Sequence, residues 1–221
     1  MLKIGDREET LNVRSGGGIA PLRGLVRSRR TVLGGMIGTA VSLGAGAVAA
    51  AEDISMPSFV SGRYQFTILR PQIELPPVRL FGLDGKTTDL SSLRGKPVLL
   101  NFWATWCAAC RTELPILDHL SVENRRSGLE VIAVSEDRSD RETVARFVRA
   151  NKIERLPIYR DPNGYVAFAD RDNEKKAPFA LYGMPITYLI SASGRVVGYM
   201  PGAADWMSGS ARELIEYLHR S

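Results

Sequence analysis

Two residue types are scarce in this 221-residue chain: cysteine and histidine, with two copies each. Structural zinc wants four ligands, and no second cysteine pair exists to supply them. His119 and His219 each stand alone in a helical stretch and read as surface or core-edge residues. A basic face is missing too. The formal charge is +5, but residues 1–51 hold seven Lys/Arg against three Asp/Glu, while residues 52–221 hold 22 against 21, a balance of +1. No Lys/Arg cluster is interleaved with aromatics, so no nucleic-acid partner is expected. The runs Arg125-Arg126 and Glu174-Lys175-Lys176 read as solvated surface. Internal repeats are absent, and the 44% of hydrophobic residues suffices for one medium domain plus extra segments.

The N-terminal charge belongs to a leader. Arg29-Arg30 precedes an uncharged run, Thr31 to Ala51, that contains five glycines. Twin arginines before a modestly apolar segment resemble a twin-arginine export signal, which a translocase reads as an address. Ala49-Ala50-Ala51 offers small residues for cleavage near Glu52. At 21 residues the run is also long enough to span a bilayer if it stays attached. Residues 1–51 are therefore expected to be a signal or anchor, residues 52–75 a linker with one short strand, and residues 76–221 the folded domain. Either fate of the leader puts that domain in the periplasm.

Along the domain, Val78 to Leu90 reads as a hairpin turning at Asp84-Gly85. "SSLRGK" reads as a helical turn stopped by Gly95. Pro97 to Trp103 is a mostly apolar run, as expected of a strand buried on both faces. A helix follows, with Pro115 inside it. Leu129 to Ser135 is a second central strand. Ser139 and Glu142 form a capping box for a helix that buries Val144, Phe147 and Val148. "RLPIYR" reads as a strand and "GYVAFAD" as a short helix. "ITYLIS" and "RVVGYM" make a last hairpin, and Ser210 with Glu213 caps a helix facing inward through Leu214 and Leu218. The fold class is α/β, a sandwich around a mixed central sheet.

Both cysteines sit three positions apart, in "NFWATWCAACRTELP". As a staple the pair is poor, because so short a loop restricts the unfolded chain little. As a redox pair it is well placed. Cys107 would open the helix after a buried strand, where the dipole and unpaired N–H groups favour a thiolate, the nucleophile of disulfide exchange. Cys110, one turn on, would lie on the same side and deeper.

"FWATWCAAC" followed by "GMPITYLI" resembles the thioredoxin superfamily, and within it the exported TlpA/ResA/DsbE-like thiol:disulfide oxidoreductases. The likeness runs from about Pro76 to the C-terminus and includes the hairpin, "CxxCRxELP" and "GYMPGAADW". It implies a three-layer thioredoxin-like fold with an N-terminal hairpin, in which Cys107 attacks a client disulfide and Cys110 resolves it. Pro185 would be cis and face the cysteines. The Met184 backbone would pair with an extended substrate, Trp106 would touch it, and Gly202 would let it approach. Asn101 stands where thioredoxins have a buried aspartate. Glu113 is then the group expected to tune Cys110 or relay its proton. Ala108-Ala109 lacks the proline of many relatives.

The resemblance implies a reductase without a bound cofactor or metal, a monomer. Its partners would be client disulfides, in apocytochrome c or copper-handling proteins, and a membrane electron donor of the DsbD/CcdA type. A disulfide-introducing oxidase is the first alternative, although such enzymes usually carry a helical insertion for which residues 135–184 leave little room. A copper-binding assembly factor is the second, but copper proteins of this fold add a histidine to the cysteine pair, and neither histidine here lies in the expected loops. Peroxide-reducing relatives use a different cysteine motif.

Overall fold

The computed structural model describes residues 55–124, 127–169 and 177–221. The leader and the charged runs at 125–126 and 174–176 lie outside the described residues. A hairpin of β1 (Val60–Ser61) and β2 (Tyr64–Gln65) comes first, followed by β3 (Thr67–Glu74). A second hairpin joins β4 (Arg79–Gly82) to β5 (Thr87–Asp89), and a 3-10 turn covers Leu90–Leu93. The central unit runs β6 (Val98–Trp103), α1 (Ala108–Glu123), β7 (Glu130–Ser135), α2 (Arg141–Ala150), β8 (Ile158–Arg160). Next come β9 (Ala167–Phe168), β10 (Phe179–Ala180), the hairpin β11 (Ile186–Ile190) and β12 (Arg195–Pro201), and α3 (Gly209–Arg220).

The main sheet is mixed, in the order β3-β12-β11-β6-β7-β8-β4-β5. β6, β7 and β8 are parallel and step in one direction across it. Right-handed crossovers then place α1 and α2 on the same face. Leu114, Leu117 and Leu120 of α1, Val144 of α2 and Leu214 and Leu218 of α3 share one core with Leu99 and Trp103 of β6. The alternate β6 residues, Val98, Leu100 and Phe102, join a second core with Leu80, Leu90, Val166 and Phe179. Every residue of β6 is buried, as its apolar run requires. The sandwich thus has a helical layer on one face and a layer of turns and short strands on the other.

Three expectations need correction. Residues 52–75 are not a linker with one strand: they contribute β1, β2 and β3, and Phe59 is fully buried. β3 pairs antiparallel with β12, Ile68 opposite Gly198 and Ile73 opposite Val196. Pro71, after a cis Arg70–Pro71 bond, interrupts the local pattern, and an edge strand tolerates such a residue. Gly198 permits the close approach, since a Cβ there would strike the Phe66 ring and the Thr67 carbonyl. "GYVAFAD" holds β9, not a helix, because it pairs with β10, which follows only after residues 170–176. The caps also move. Asp140 caps α2, its Oδ1 accepting from Thr143 N at 2.8 Å, and Ser208 caps α3, its Oγ accepting from Ala211 N at 3.3 Å. In each case a nearby acceptor beats the residue chosen by spacing. The 78–90 hairpin, the turn before Gly95, and an α1 running unbroken through Pro115 follow the sequence reading.

Candidate redox site at the start of α1

β6 carries the chain to Trp103, and the next four residues are fastened before the helix begins. Thr105 donates through N and Oγ1 to Asp137, at 2.9 and 2.6 Å, and Asp137 is held in turn by Ser135 Oγ. Arg111 reaches back with two bonds to the Thr105 carbonyl. Cys107 is the N-cap of α1, its Sγ accepting from Cys110 N at 3.1 Å. Cys107 and Cys110 are joined as a disulfide, S–S 2.11 Å. Cys107 is 6% exposed and Cys110 1%, the order expected of an attacking and a resolving sulfur. When the bond is reduced, the helix N-terminus favours negative charge on Cys107 Sγ.

One turn beyond Cys110 lies Glu113, which is 1% exposed and not a solvated first-turn residue. Its Oε2 accepts from Asn101 Nδ2 at 2.9 Å, and its Oε1 from Ala204 N at 3.0 Å and Trp206 Nε1 at 2.8 Å. Asn101 also donates to Thr187 Oγ1, which ties β6 to β11. Burial pushes the carboxyl up, while the donors from Trp206, Ala204 and Asn101 pull it down, and it settles at about 7. Such a group can take and return a proton at neutral pH.

The Met184–Pro185 bond is cis, as the resemblance implies, and the Pro185 carbonyl accepts from Gly202 N at 2.7 Å. Trp106 is 67% exposed and Met184 packs partly against the helical core. Both line a cleft of about 810 Å³ with Gly183, Leu181, Glu136 and Arg138. Trp106 and Met184, the expected substrate contacts, therefore come together in one cleft. Gly202 does not join them. Its φ of +77° suits glycine, but the space a Cβ would take is filled by the ring of Tyr64, so the chain's own hairpin meets it, not a client.

Sequence reasoning missed Tyr64 and Phe59, which lie in the supposed linker, and assigned Trp206 no role. Trp206 is fully buried against Phe59 (ring centroids 5.2 Å apart) and bonded to Glu113. Glu136 was missed as well. Burial, then Asp161 and Asp137 against the opposing pull of Arg138, push its carboxyl up to about 9. Asp161 is buried, and its carboxylate accepts from the N–H groups of Tyr165, Val166 and Ala167. Among the described residues no group of three or more His, Cys, Asp or Glu is placed to hold a metal ion.

Known proteins resemble this chain in sequence and fold. A thiol-disulfide oxidoreductase ResA of Oceanobacillus iheyensis is 37% identical over 121 residues, 55% of this chain and 57% of that protein. A ResA of Bacillus thuringiensis subsp. konkukian is 29% identical over 147 residues, 66% of this chain and 76% of that protein. Among solved structures, a putative thiol:disulfide interchange protein DsbE from Chlorobium tepidum superposes with a TM-score of 0.55 at 24% identity, over 67% of this chain and 96% of that one, which shows a thioredoxin-like fold. Residues 70–199, more than half of the chain, match the AhpC/TSA family. The chain belongs to the AhpC/TSA family, as a thiol:disulfide oxidoreductase of thioredoxin-like fold similar to ResA.

Proposed function

We propose that this oxidoreductase is an exported, periplasmic reductase of protein disulfides. The observation that carries the reading is the buried Cys110 backed by Glu113, a carboxyl poised at about 7. Cys107 thiolate attacks one sulfur of a client disulfide. The client S–S bond breaks, its other sulfur leaves as a thiolate, and Cys107 is left in a mixed disulfide. Glu113 then takes the Cys110 proton, and the new thiolate attacks Cys107 Sγ. A Cys107–Cys110 disulfide closes and the client leaves as a dithiol, having gained two electrons and two protons overall.

Direction follows from which thiolates the protein stabilises. Helix α1 favours a thiolate at Cys107, but Cys110 is buried, with Glu113 one turn on along the same helix, and gains no such help. Only one of the two sulfurs therefore stabilises the dithiol, and the pull that Cys107 exerts toward an oxidant is not reinforced at Cys110. Exposed Trp106 and half-buried Met184 supply an apolar contact, and the Met184 backbone before cis-Pro185 offers strand-like pairing to an extended client. Clients that need free thiols in an oxidising compartment, such as apocytochrome c or copper-handling proteins, fit this chemistry. A membrane electron donor of the DsbD/CcdA type would restore the dithiol.

The test is the equilibrium reduction potential of the protein against dithiothreitol and glutathione couples. A value near −270 mV, about that of thioredoxin, supports a reductase. A value near −120 mV, about that of a strong periplasmic oxidant, overturns it in favour of disulfide donation.

A further inference from the structure

The exchange chemistry above uses neither Trp206 nor the hairpin of β1 and β2, yet both converge on Glu113. Trp206 is fully buried, and its only polar atom, Nε1, donates to Glu113 Oε1 at 2.8 Å. The neighbouring Ala204 N donates to the same oxygen at 3.0 Å. Phe59, also fully buried, lies against the Trp206 ring at 5.2 Å between centroids. The hairpin is fastened to this loop at two further points. Ser61 Oγ accepts from Asp205 N at 2.9 Å, and Tyr64 covers Gly202. A bond from Phe66 N to the Phe59 carbonyl, 2.8 Å, closes the hairpin on itself. Residues 59–66 thus clasp residues 202–206, and those residues hold one oxygen of the carboxyl.

We propose that Trp206 is a positioning residue for the exchange reaction: its indole N–H fixes the Glu113 carboxyl beside Cys110, and Phe59 keeps that bond dry. The inference rests on the reading of Glu113 as the proton acceptor for Cys110. The two residues act on the carboxyl in opposite senses. A donated N–H favours the carboxylate, whereas an apolar ring that excludes water favours the neutral acid. The charged or titratable groups on residues 59–66 and 202–206 are Arg63, Tyr64 and Asp205. Helix α1 adds Cys110, Arg111, which is turned to the Thr105 carbonyl, Asp118, which holds the N–H groups of residues 154–156, and His119 and Glu123, which face each other near its far end. Arg63 is exposed and occupied with the Tyr64 hydroxyl, and Asp205 is exposed. The acidity of Glu113 is set by burial and by its three neutral donors.

The experiment follows the pH dependence of client release from the Cys107 mixed disulfide, together with the carboxyl stretch of Glu113 in infrared difference spectra, assigned by Glu113→Gln. Replacing the Trp206 indole by its benzothiophene isostere removes the N–H and keeps the volume. It is expected to raise both midpoints by about one pH unit, a tenfold gain in proton affinity. Phe59→Ala leaves every hydrogen bond to Glu113 in place but admits water, and is expected to lower them. Phe59→Leu should restore the wild-type values. Unchanged midpoints, or midpoints that move in the same direction in both variants, overturn the proposal and leave Trp206 and Phe59 as core. The infrared readout stands even where a variant is too slow to assay. If Glu113→Gln itself leaves the release profile unaltered, the reading of Glu113 has failed, which is a different result from a Glu113 midpoint that ignores Trp206 and Phe59.

Discussion

At the scale of single residues, Glu113 makes two measurable claims. Glu113→Gln keeps the shape of the side chain but cannot accept the Cys110 proton. Closure of the Cys107–Cys110 bond onto a mixed disulfide should slow by about 10²-fold, at the lower end of general-base effects. Attack by Cys107 on the client should be nearly unchanged, and rapid acid quench with mass analysis separates the two steps. The second claim concerns stability. A carboxyl held at about 7 in the fold has greater proton affinity there than in the unfolded chain, with a reference value of 4.5. Its contribution is fully present below pH 4.5 and is lost as the pH rises through about 7, on the order of 3 kcal/mol. Glu136, at about 9, extends the decline to higher pH in the same sense. Urea unfolding of the oxidised protein across pH 4–9 should show this fall, and Glu113→Gln should flatten its lower half. An unchanged slope in that variant would mean that Glu113 is not held neutral. The cysteines, Trp106, Glu113 and cis-Pro185 are legible in the sequence because a short motif fixes each of them by its neighbours. The Trp206–Glu113 bond is not, since it joins residues 93 positions apart and no local pattern encodes it.

Elements divide along the same line. β6, α1 and β7 are readable because their periodicity and burial agree, and because the turn from β6 into α1 is specified within a few residues. β3 is not readable: its partner β12 lies far along the chain, and Pro71 breaks its alternation. The same reason turned β9 into an expected helix, for a two-residue strand exists only through its partner. β3 is nonetheless structural, which a substitution on its neighbour can test. Gly198→Ala would drive a methyl group into Phe66 and the Thr67 carbonyl, where the backbone cannot yield cheaply. The expected loss is about 1–3 kcal/mol by denaturant unfolding, the usual cost of overpacking. Amide exchange should rise along Thr67–Glu74 more than along β6 and β7. If 52–75 were a linker, neither change would occur.

For the whole molecule, the question is where the two-electron chemistry makes sense. A reductase of client disulfides has work only where disulfides form, on the oxidising side of a membrane. Seven Lys/Arg against three Asp/Glu in residues 1–51 leave residues 52–221 at +1, so the basic character lies in the proposed leader. Among the described residues no helix is long and apolar enough to cross a membrane. On the proposed reading, export is the step on which activity depends, with Arg29-Arg30 as its proposed address. Lysine keeps the charge of arginine but not its planar fork, so a receptor that reads arginine should reject it. In cells making the full chain, Arg29→Lys with Arg30→Lys should abolish labelling of Cys107 and Cys110 by a membrane-impermeant thiol reagent applied after reduction. The same cells, once lysed, should label fully, which shows that the protein is made and folded. Labelling that survives the double substitution would refute a twin-arginine route while leaving the export reading open. Failure of the unaltered chain to label from outside would place the protein in the cytosol and remove the ground for a periplasmic client.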